Sequence, residues 1–404
     1  MKILILTYRM AMGFGVDVVV GETARRFVKK GLDVTIGVID QEPGVYADLN
    51  IRKLDSSNPV SKSFLIATDP DVIIIHTFPF FEQIDYLKDF APVIFWEHGD
   101  PSPELQVDPG KSFLANEKLH KATNGYPKAN GIISISEFIA SEIGEFDSKI
   151  IYNGSEHIPL FEKQKKISGN NKLRVGVLNR IGPGENRYKG IERYENLIQA
   201  VHNQDSFQFC FAGRGREEDA QALISQNIEV RLNLSEEEKL EYLKGLDVFI
   251  SFSLWEGFNL PLVEAARLGN VCLAFDTGAH PEVCPFVFEN VESMAKFLDI
   301  LATNNGLLNK YSKDALLFVS TKFNWDRAAD QAFQYLREVY LRDTRVRNVS
   351  FMKRLNILYH FSMYYFYRLN LGITGSVKFL KEHGYRDFVL LLKRKIASIF
   401  FSLR

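Results

Sequence analysis

Met1-Lys-Ile-Leu-Ile-Leu-Thr-Tyr-Arg-Met-Ala-Met-Gly13-Phe-Gly15-Val-Asp-Val-Val-Val-Gly-Glu-Thr-Ala-Arg-Arg-Phe-Val-Lys-Lys-Gly31-Leu-Asp33-Val-Thr-Ile-Gly-Val-Ile39 decides the fold. Lys2–Thr7 is a continuous apolar run, as expected of a strand buried on both faces. A glycine-bearing loop follows. Val16, Val20, Ala24, Phe27 and Val28 then keep helical spacing, and Gly31 ends the helix. Asp33–Ile39 is a second strand. A strand, loop, helix and strand in this order begin a parallel, doubly wound sheet.

The same reading extends outward. Further strand cores are expected at Val72–His76, Val93–Trp96, Gly131–Ile135 and Ile150–Asn153. The polar, Lys-rich stretch 162–172 reads as a linker. The pattern then restarts with strands at Leu173–Leu178, Phe207–Ala212, Ile228–Leu232, Val248–Ser251 and Val271–Phe275. Helices are expected at Ile191–Val201, Glu236–Leu243, Pro261–Leu268 and Phe323–Tyr340. Two successive α/β patterns of similar length predict two similar domains, at 1–165 and 170–340, followed by a helical tail at 341–404.

Composition agrees. In 404 residues, 46% are hydrophobic and 25% charged, which excludes a wholly disordered chain or a disulfide-stapled miniprotein. The cysteines, Cys210, Cys272 and Cys284, are too widely spaced for a zinc framework or a redox pair. No run is long and apolar enough for a membrane span, and the opening apolar run is too short for a signal-peptide core. A cytoplasmic protein is therefore expected. The net charge of −1 hides an asymmetry: residues 341–404 carry 13 Lys/Arg and 3 Asp/Glu, a tail of +10 on a body of −11.

The stretch richest in chemistry is Asp247-Val-Phe-Ile-Ser-Phe-Ser-Leu-Trp-Glu256-Gly257-Phe258-Asn259-Leu260-Pro-Leu-Val-Glu264-Ala-Ala-Arg-Leu-Gly269. A strand ends in a turn, Asn259 reads as an N-cap and Pro261 as the first helical residue. Glu256 lies in the loop at a strand's carboxyl end and Glu264 one turn into the helix, the edge where open α/β sheets bind ligands. Helix N–H groups can hold an anion there, and the carboxylates can accept from sugar hydroxyls. The plain alternative is that Glu264 merely favours a helix N-terminus.

Glu256-x7-Glu264 resembles the E-x7-E signature of the large family of retaining glycosyltransferases with the GT-B fold, of the family 4 type. The resemblance covers most of residues 1–340. Gly13-Phe-Gly15 is similar to that family's N-terminal glycine loop, Glu97-His98-Gly99 to its "H-G" element and Ile132–Ser136 to its "V-S" strand. Tyr152-Asn153-Gly154 is similar to the "P-N-G" turn, Arg180 and Lys189-Gly190 to the "G-R…K-G" element, and Phe211-Ala-Gly213-Arg-Gly215 to the "G-x-G" loop. Thr277-Gly278 and Pro281-Glu282 resemble the following segment. The order along the chain also matches. Three departures stand out: Asn259 replaces a frequent glycine, Phe14 splits the N-terminal glycine pair, and Arg180 and Lys189 are nine apart, which leaves Arg187 as an alternative to Lys189.

The resemblance implies two Rossmann-like domains facing a cleft, and a nucleoside-diphosphate sugar as donor. It implies that Arg180 and Lys189 neutralise charge growing on the leaving phosphate, with Glu256 and His98 at the sugar as the other catalytic groups. The donor would be held by Gly13, Gly15, Gly213, Gly257, Phe258, Asn259, Leu260 and Glu264, the last on the ribose. It further implies retention at the anomeric carbon, no metal, no cofactor beyond the sugar nucleotide, and a glycan or lipid-linked acceptor of the kind used in bacterial surface polysaccharide synthesis. The acceptor loops would include Asp100–Pro109.

Other residues have quieter readings. Glu97 and Asp100 either orient His98 or serve as acids, or are solvated loop carboxylates. Asp69-Pro-Asp71 reads as a turn rather than a metal-binding pair, and His76 as structural. In the tail, the aromatic, basic segments within 346–403 suit an anionic membrane surface, with the protein held peripherally at the inner face of the plasma membrane. Packing on the acidic body is the alternative. Nucleic acid is not expected, since neither segment is densely basic. Two other functions stay open on this fold: a nucleotide-sugar epimerase, against which E-x7-E and the tail argue, and a catalytically degenerate binding protein. Donor turnover separates the latter from a transferase.

Overall fold

A computed structural model describes residues 1–56, 60–101, 105, 117–162, 172–226 and 228–343. The expected linker at 162–172, the proposed acceptor loop and the tail fall largely or wholly outside these residues.

Two parallel sheets form. The first has seven strands, β1 (Lys2–Met10), β2 (Asp33–Gln41), β3 (Ile51–Lys53), β4 (Val72–Ile75), β5 (Val93–Glu97), β6 (Gly131–Ser134) and β7 (Lys149–Ile150), in the order β3-β2-β1-β4-β5-β6-β7. The second has six: β8 (Leu173–Arg180), β9 (Phe207–Arg214), β10 (Glu229–Leu232), β11 (Val248–Ser251), β12 (Val271–Phe275) and β13 (Val287–Phe288), in the order β10-β9-β8-β11-β12-β13. The pairings within both are parallel. Both sheets are thus doubly wound, and each reverses its strand order once, between β1 and β4 and between β8 and β11. Crevices for ligands open at such points, beyond the carboxyl ends of the strands.

The apolar runs that predicted strands are buried. Val72, Ile73, Ile74 and Ile75 have no exposed surface. β1 and β8 run past their expected ends because pairing continues, Met10 with Gln41 and Arg180 with Arg214. The edge strands β3 and β13, of three and two residues, are too short to show a period.

Two buried apolar clusters each serve one sheet, and a third spans both, from Ile3 and Trp96 to Leu262 and Trp325. The helix Trp325–Arg342 follows the second sheet in sequence but packs on the first. Its Asp326 and Asp330 pair with Arg26 (2.8 Å) and Lys30 (2.5 Å), and its Tyr335 hydroxyl accepts from the Ile132 N–H at 3.1 Å. Among the described residues, no helix is long and apolar enough to cross a membrane.

Candidate active site between the two sheets

At the second switch point, β8 ends at Arg180, and the turn that follows delivers Lys189. Beyond β11, the loop delivers Glu256. The Lys189 ammonium donates to Glu256 Oε1 at 2.7 Å, both side chains being nearly buried. Burial alone pushes the Glu256 carboxyl up, but Lys189 outweighs it and holds it below the usual range. Burial likewise pulls Lys189 down, and Glu256 more than restores it. The pair is therefore ionised. Lys189 also lies 4.3 Å from the centre of the Tyr188 ring. Arg180 is half-exposed beside it, 3.3 Å from Glu185. The wide spacing between Arg180 and Lys189 is absorbed by a turn in which Gly182 N–H bonds to Asn186 Oδ1 at 2.7 Å.

Glu256 and Gly257 meet the first sheet at the loop beyond β5. A methyl group at Gly257 would overlap the His98 carbonyl oxygen. Gly99, at φ +81°, packs so closely that a methyl there would strike Ile139 and the Trp255 ring. The Ser136 hydroxyl donates to the Gly257 carbonyl at 2.7 Å. The carboxylate of Glu282 accepts from the Phe138 and Glu137 N–H groups at 2.7 and 2.8 Å and from the Tyr152 hydroxyl at 2.9 Å. These contacts fix the His98 loop against the Glu256 loop.

His98 Nε2 is 2.9 Å from His76 Nδ1. Burial pushes the His98 pKa down to about 4, and His76 well below its ordinary value, so both rings are neutral and one donates to the other. His76, stacked on Trp96 at 5.3 Å between ring centres, anchors His98. Glu97 and Asp100 do not touch the imidazole. Both bind the buried Lys121, at 3.1 and 2.7 Å, and Glu97 also accepts from Gly99 N–H (2.8 Å) and the Tyr126 hydroxyl (2.9 Å). Glu97 thus holds the loop's backbone, and its charge also works against burial at His98. Sequence gave no sign of Lys121, which lies 24 residues from Glu97.

Glu264 is buried one turn into the helix Leu260–Arg267. Its oxygens contact His157 Nε2 at 3.0 Å and Lys239 Nζ at 3.4 Å. Burial opposes ionisation, yet Lys239 and the His157 hydrogen bond hold its pKa at about 2. Asn259 is the N-cap of this helix at φ +68°, a left-handed conformation that asparagine tolerates better than most residues. Its side chain turns inward. Oδ1 accepts from Leu262 N–H at 3.3 Å, and Nδ2 donates to Ser251 Oγ (2.7 Å) and to His280 Nε2 (2.9 Å). His280 Nδ1 in turn donates to the Phe275 carbonyl at 2.9 Å.

The glycine loop joins from the first sheet. The Arg214 guanidinium lies against Gly13 and donates to the Met12 carbonyl at 2.6 Å, while a methyl on Gly15 would touch Leu260. Arg9 and Arg214 lie 3.3 and 4.7 Å from the centre of the Phe14 ring. Neither arginine was singled out by the sequence.

Of the expected site residues, His98, Arg180, Lys189, Glu256 and Gly257 surround the switch point of the second sheet, and Gly13 and Gly15 face its rim. Phe258 and Leu260 are buried apolar side chains; Phe258 packs on Phe323 at 5.1 Å. Gly213 is needed for strand packing, since a methyl would overlap the Asn179 carbonyl of β8. Whatever these three contribute to a ligand comes through backbone.

Comparison with known proteins bears on the fold. Residues 174–304 match the family model described as "Glycosyl transferases group 1". A search of curated proteins found no match. Among solved structures, the chain is similar to Anabaena Alr3699/HepE in complex with UDP, at 16% identity and TM-score 0.63, covering 84% of this chain and 100% of that one. It is similar to sucrose-phosphate synthase from Thermosynechococcus elongatus, at 14% identity and TM-score 0.67, covering 84% and 99%. It is also similar to WaaG, a glycosyltransferase involved in lipopolysaccharide biosynthesis, at 10% identity and TM-score 0.57, covering 83% and 99%. At these identities the likeness is one of fold, the two-sheet GT-B architecture. Over residues 174–304 the chain carries, in addition, a match to the group 1 glycosyltransferases.

Proposed function

We propose that this protein moves a sugar from a nucleoside-diphosphate sugar to a hydroxyl of a glycan acceptor, with retention at the anomeric carbon. The observation that carries the proposal is the ionised Lys189–Glu256 pair at the carboxyl ends of β8 and β11, beside Arg180 and opposite His98.

As the bond between sugar and phosphate breaks, negative charge grows on the departing phosphate oxygen and positive charge on the sugar. Lys189 and Arg180 stabilise the first, and Glu256 lies where it can stabilise the second. These groups are preorganised, so little reorientation is needed as the charges develop. His98, held neutral, offers a hydrogen bond to a sugar or acceptor hydroxyl. Glu264 accepts from the ribose, with lone pairs left after its two present contacts. Backbone N–H groups of the Gly13–Gly15 loop complete the phosphate site. No metal or other cofactor takes part in this scheme.

Support for retention is the Glu256-x7-Glu264 resemblance. Support for a lipid-linked acceptor in surface polysaccharide synthesis is the fold likeness to WaaG and the +10 tail, whose basic and aromatic composition suits the anionic inner face of the plasma membrane. Thermal unfolding with UDP, GDP, ADP and CDP tests the donor site. A diphosphate at 100 times its Kd stabilises by about 2.7 kcal/mol. One of the four should shift the midpoint, and a flat response to all four would overturn the proposal.

A further inference from the structure

The chain crosses between the sheets twice, and the two crossings are bonded to each other. On the way out, the Ser155 hydroxyl donates to the Phe323 carbonyl at 2.9 Å, and Glu156 accepts from the Trp325 N–H at 2.8 Å and from the Asn324 amide. Gly154 is glycine because Trp325 lies where its methyl would be. The outgoing segment is also stapled to the helix that carries Glu264: Arg267 donates to the Ile158 carbonyl (2.5 Å) and to Ser155 Oγ (3.3 Å).

One side chain links this junction to the Glu264 carboxylate. The fully buried Trp325 donates its indole N–H to His157 Nδ1 at 3.0 Å, and His157 Nε2 meets Glu264 Oε1 at 3.0 Å. An indole N–H can only donate, so Nδ1 must be bare and the proton of the ring sits on Nε2. The ring therefore donates to Glu264. The ionised Glu264 can only accept, so it calls for the same tautomer; without Trp325 the ring keeps its Nε2 proton but loses the donor at Nδ1 that fixes its orientation toward the carboxylate.

We propose that His157 and Trp325 are positioning residues for the donor nucleotide. Trp325 fixes the orientation of the His157 ring, His157 fixes Glu264, and the affinity for the nucleotide depends on the junction between the two crossings. This inference rests on Glu264 as the ribose acceptor.

The test uses the full chain and the variants Trp325→Phe and His157→Gln. Phenylalanine keeps a ring but removes the donor. Glutamine can donate to Glu264 with no ring for Trp325 to orient. Nitrogen-15 NMR of the histidines reads the tautomer and the hydrogen bond at Nδ1, and calorimetry with UDP, GDP, ADP and CDP reads affinity. In the native chain His157 should carry its proton on Nε2. In Trp325→Phe the Nδ1 signal should shift to that of a ring nitrogen with no donor, the proton staying on Nε2, and the Kd of the bound diphosphate should rise about tenfold, as loss of one hydrogen bond to a charged group implies. In a His157→Gln background Trp325→Phe should add nothing. An unchanged Nδ1 signal and affinity in Trp325→Phe would overturn the positioning role, as would an equal loss in both backgrounds. If no diphosphate binds the native chain, the donor reading itself fails, and the positioning role with it.

Discussion

The Lys189 ammonium and the Glu256 carboxylate lie 2.7 Å apart in a nearly buried pair, although 67 residues separate them. Removing one member of such a pair leaves the other charge uncompensated, at about 3–5 kcal/mol. Glu256→Gln should therefore unfold at markedly lower urea. A bound diphosphate supplies new negative charge to Lys189, so it should stabilise Glu256→Gln more than the native chain. Equal ligand-induced shifts in the two proteins would show that the diphosphate does not reach Lys189.

Gly257 sets how closely the two loops approach. Gly257→Ala should force the His98 carbonyl away, since the methyl has no room. Misplacing reacting groups by about 1 Å can cost on the order of a hundredfold in rate. Turnover should fall by roughly that factor, while diphosphate binding changes little. A variant with native turnover would show that this contact does not shape the working site.

Asn259 stands where glycine would fit the backbone without strain. Asn259→Gly should nevertheless destabilise by about 1–2 kcal/mol, because it removes the helix cap and leaves His280 Nε2 without its amide donor. Urea denaturation reads the change. A more stable glycine variant would mean that relief at φ +68° outweighs the network.

Acid acts on the fold through opposed groups. Burial pushes His98 and His280 down to about 4, so between their ordinary 6.5 and about 4 the unfolded chain takes up protons that the folded chain refuses. These histidines lower stability as pH falls through that window. Burial pushes Asp17 up to about 6 from 3.8, so its folded form takes a proton first and gains stability as pH falls below 6. Asp17→Asn removes that gain, worth about 3 kcal/mol at 1.4 kcal/mol per unit. Its stability should fall more steeply than the native chain's between pH 6 and 4. Parallel curves would contradict the buried, protonatable Asp17.

Much of the frame was legible because local pattern reports it. Runs such as Val72–Ile75 and Val271–Phe275 are apolar without alternation, and only strands covered on both faces need that. Asn259 and Pro261 marked the start of the Glu264 helix. What stayed hidden are pairings between distant segments. Nothing in sequence spacing joins His157 to Glu264, Lys121 to Glu97, or Arg214 to Met12, 202 residues away. Such bonds depend on how loops from two sheets meet, which no periodicity encodes. The inward turn of the Asn259 side chain was equally hidden, since its partner His280 arrives from beyond β12.

The most direct measurement is a crystal structure of the full chain soaked with the nucleoside diphosphate that most raises its unfolding midpoint. The account predicts the terminal phosphate within hydrogen-bond distance of Lys189 and Arg180, and the ribose hydroxyls on Glu264. A diphosphate bound elsewhere, or with its phosphates away from Lys189, would contradict it.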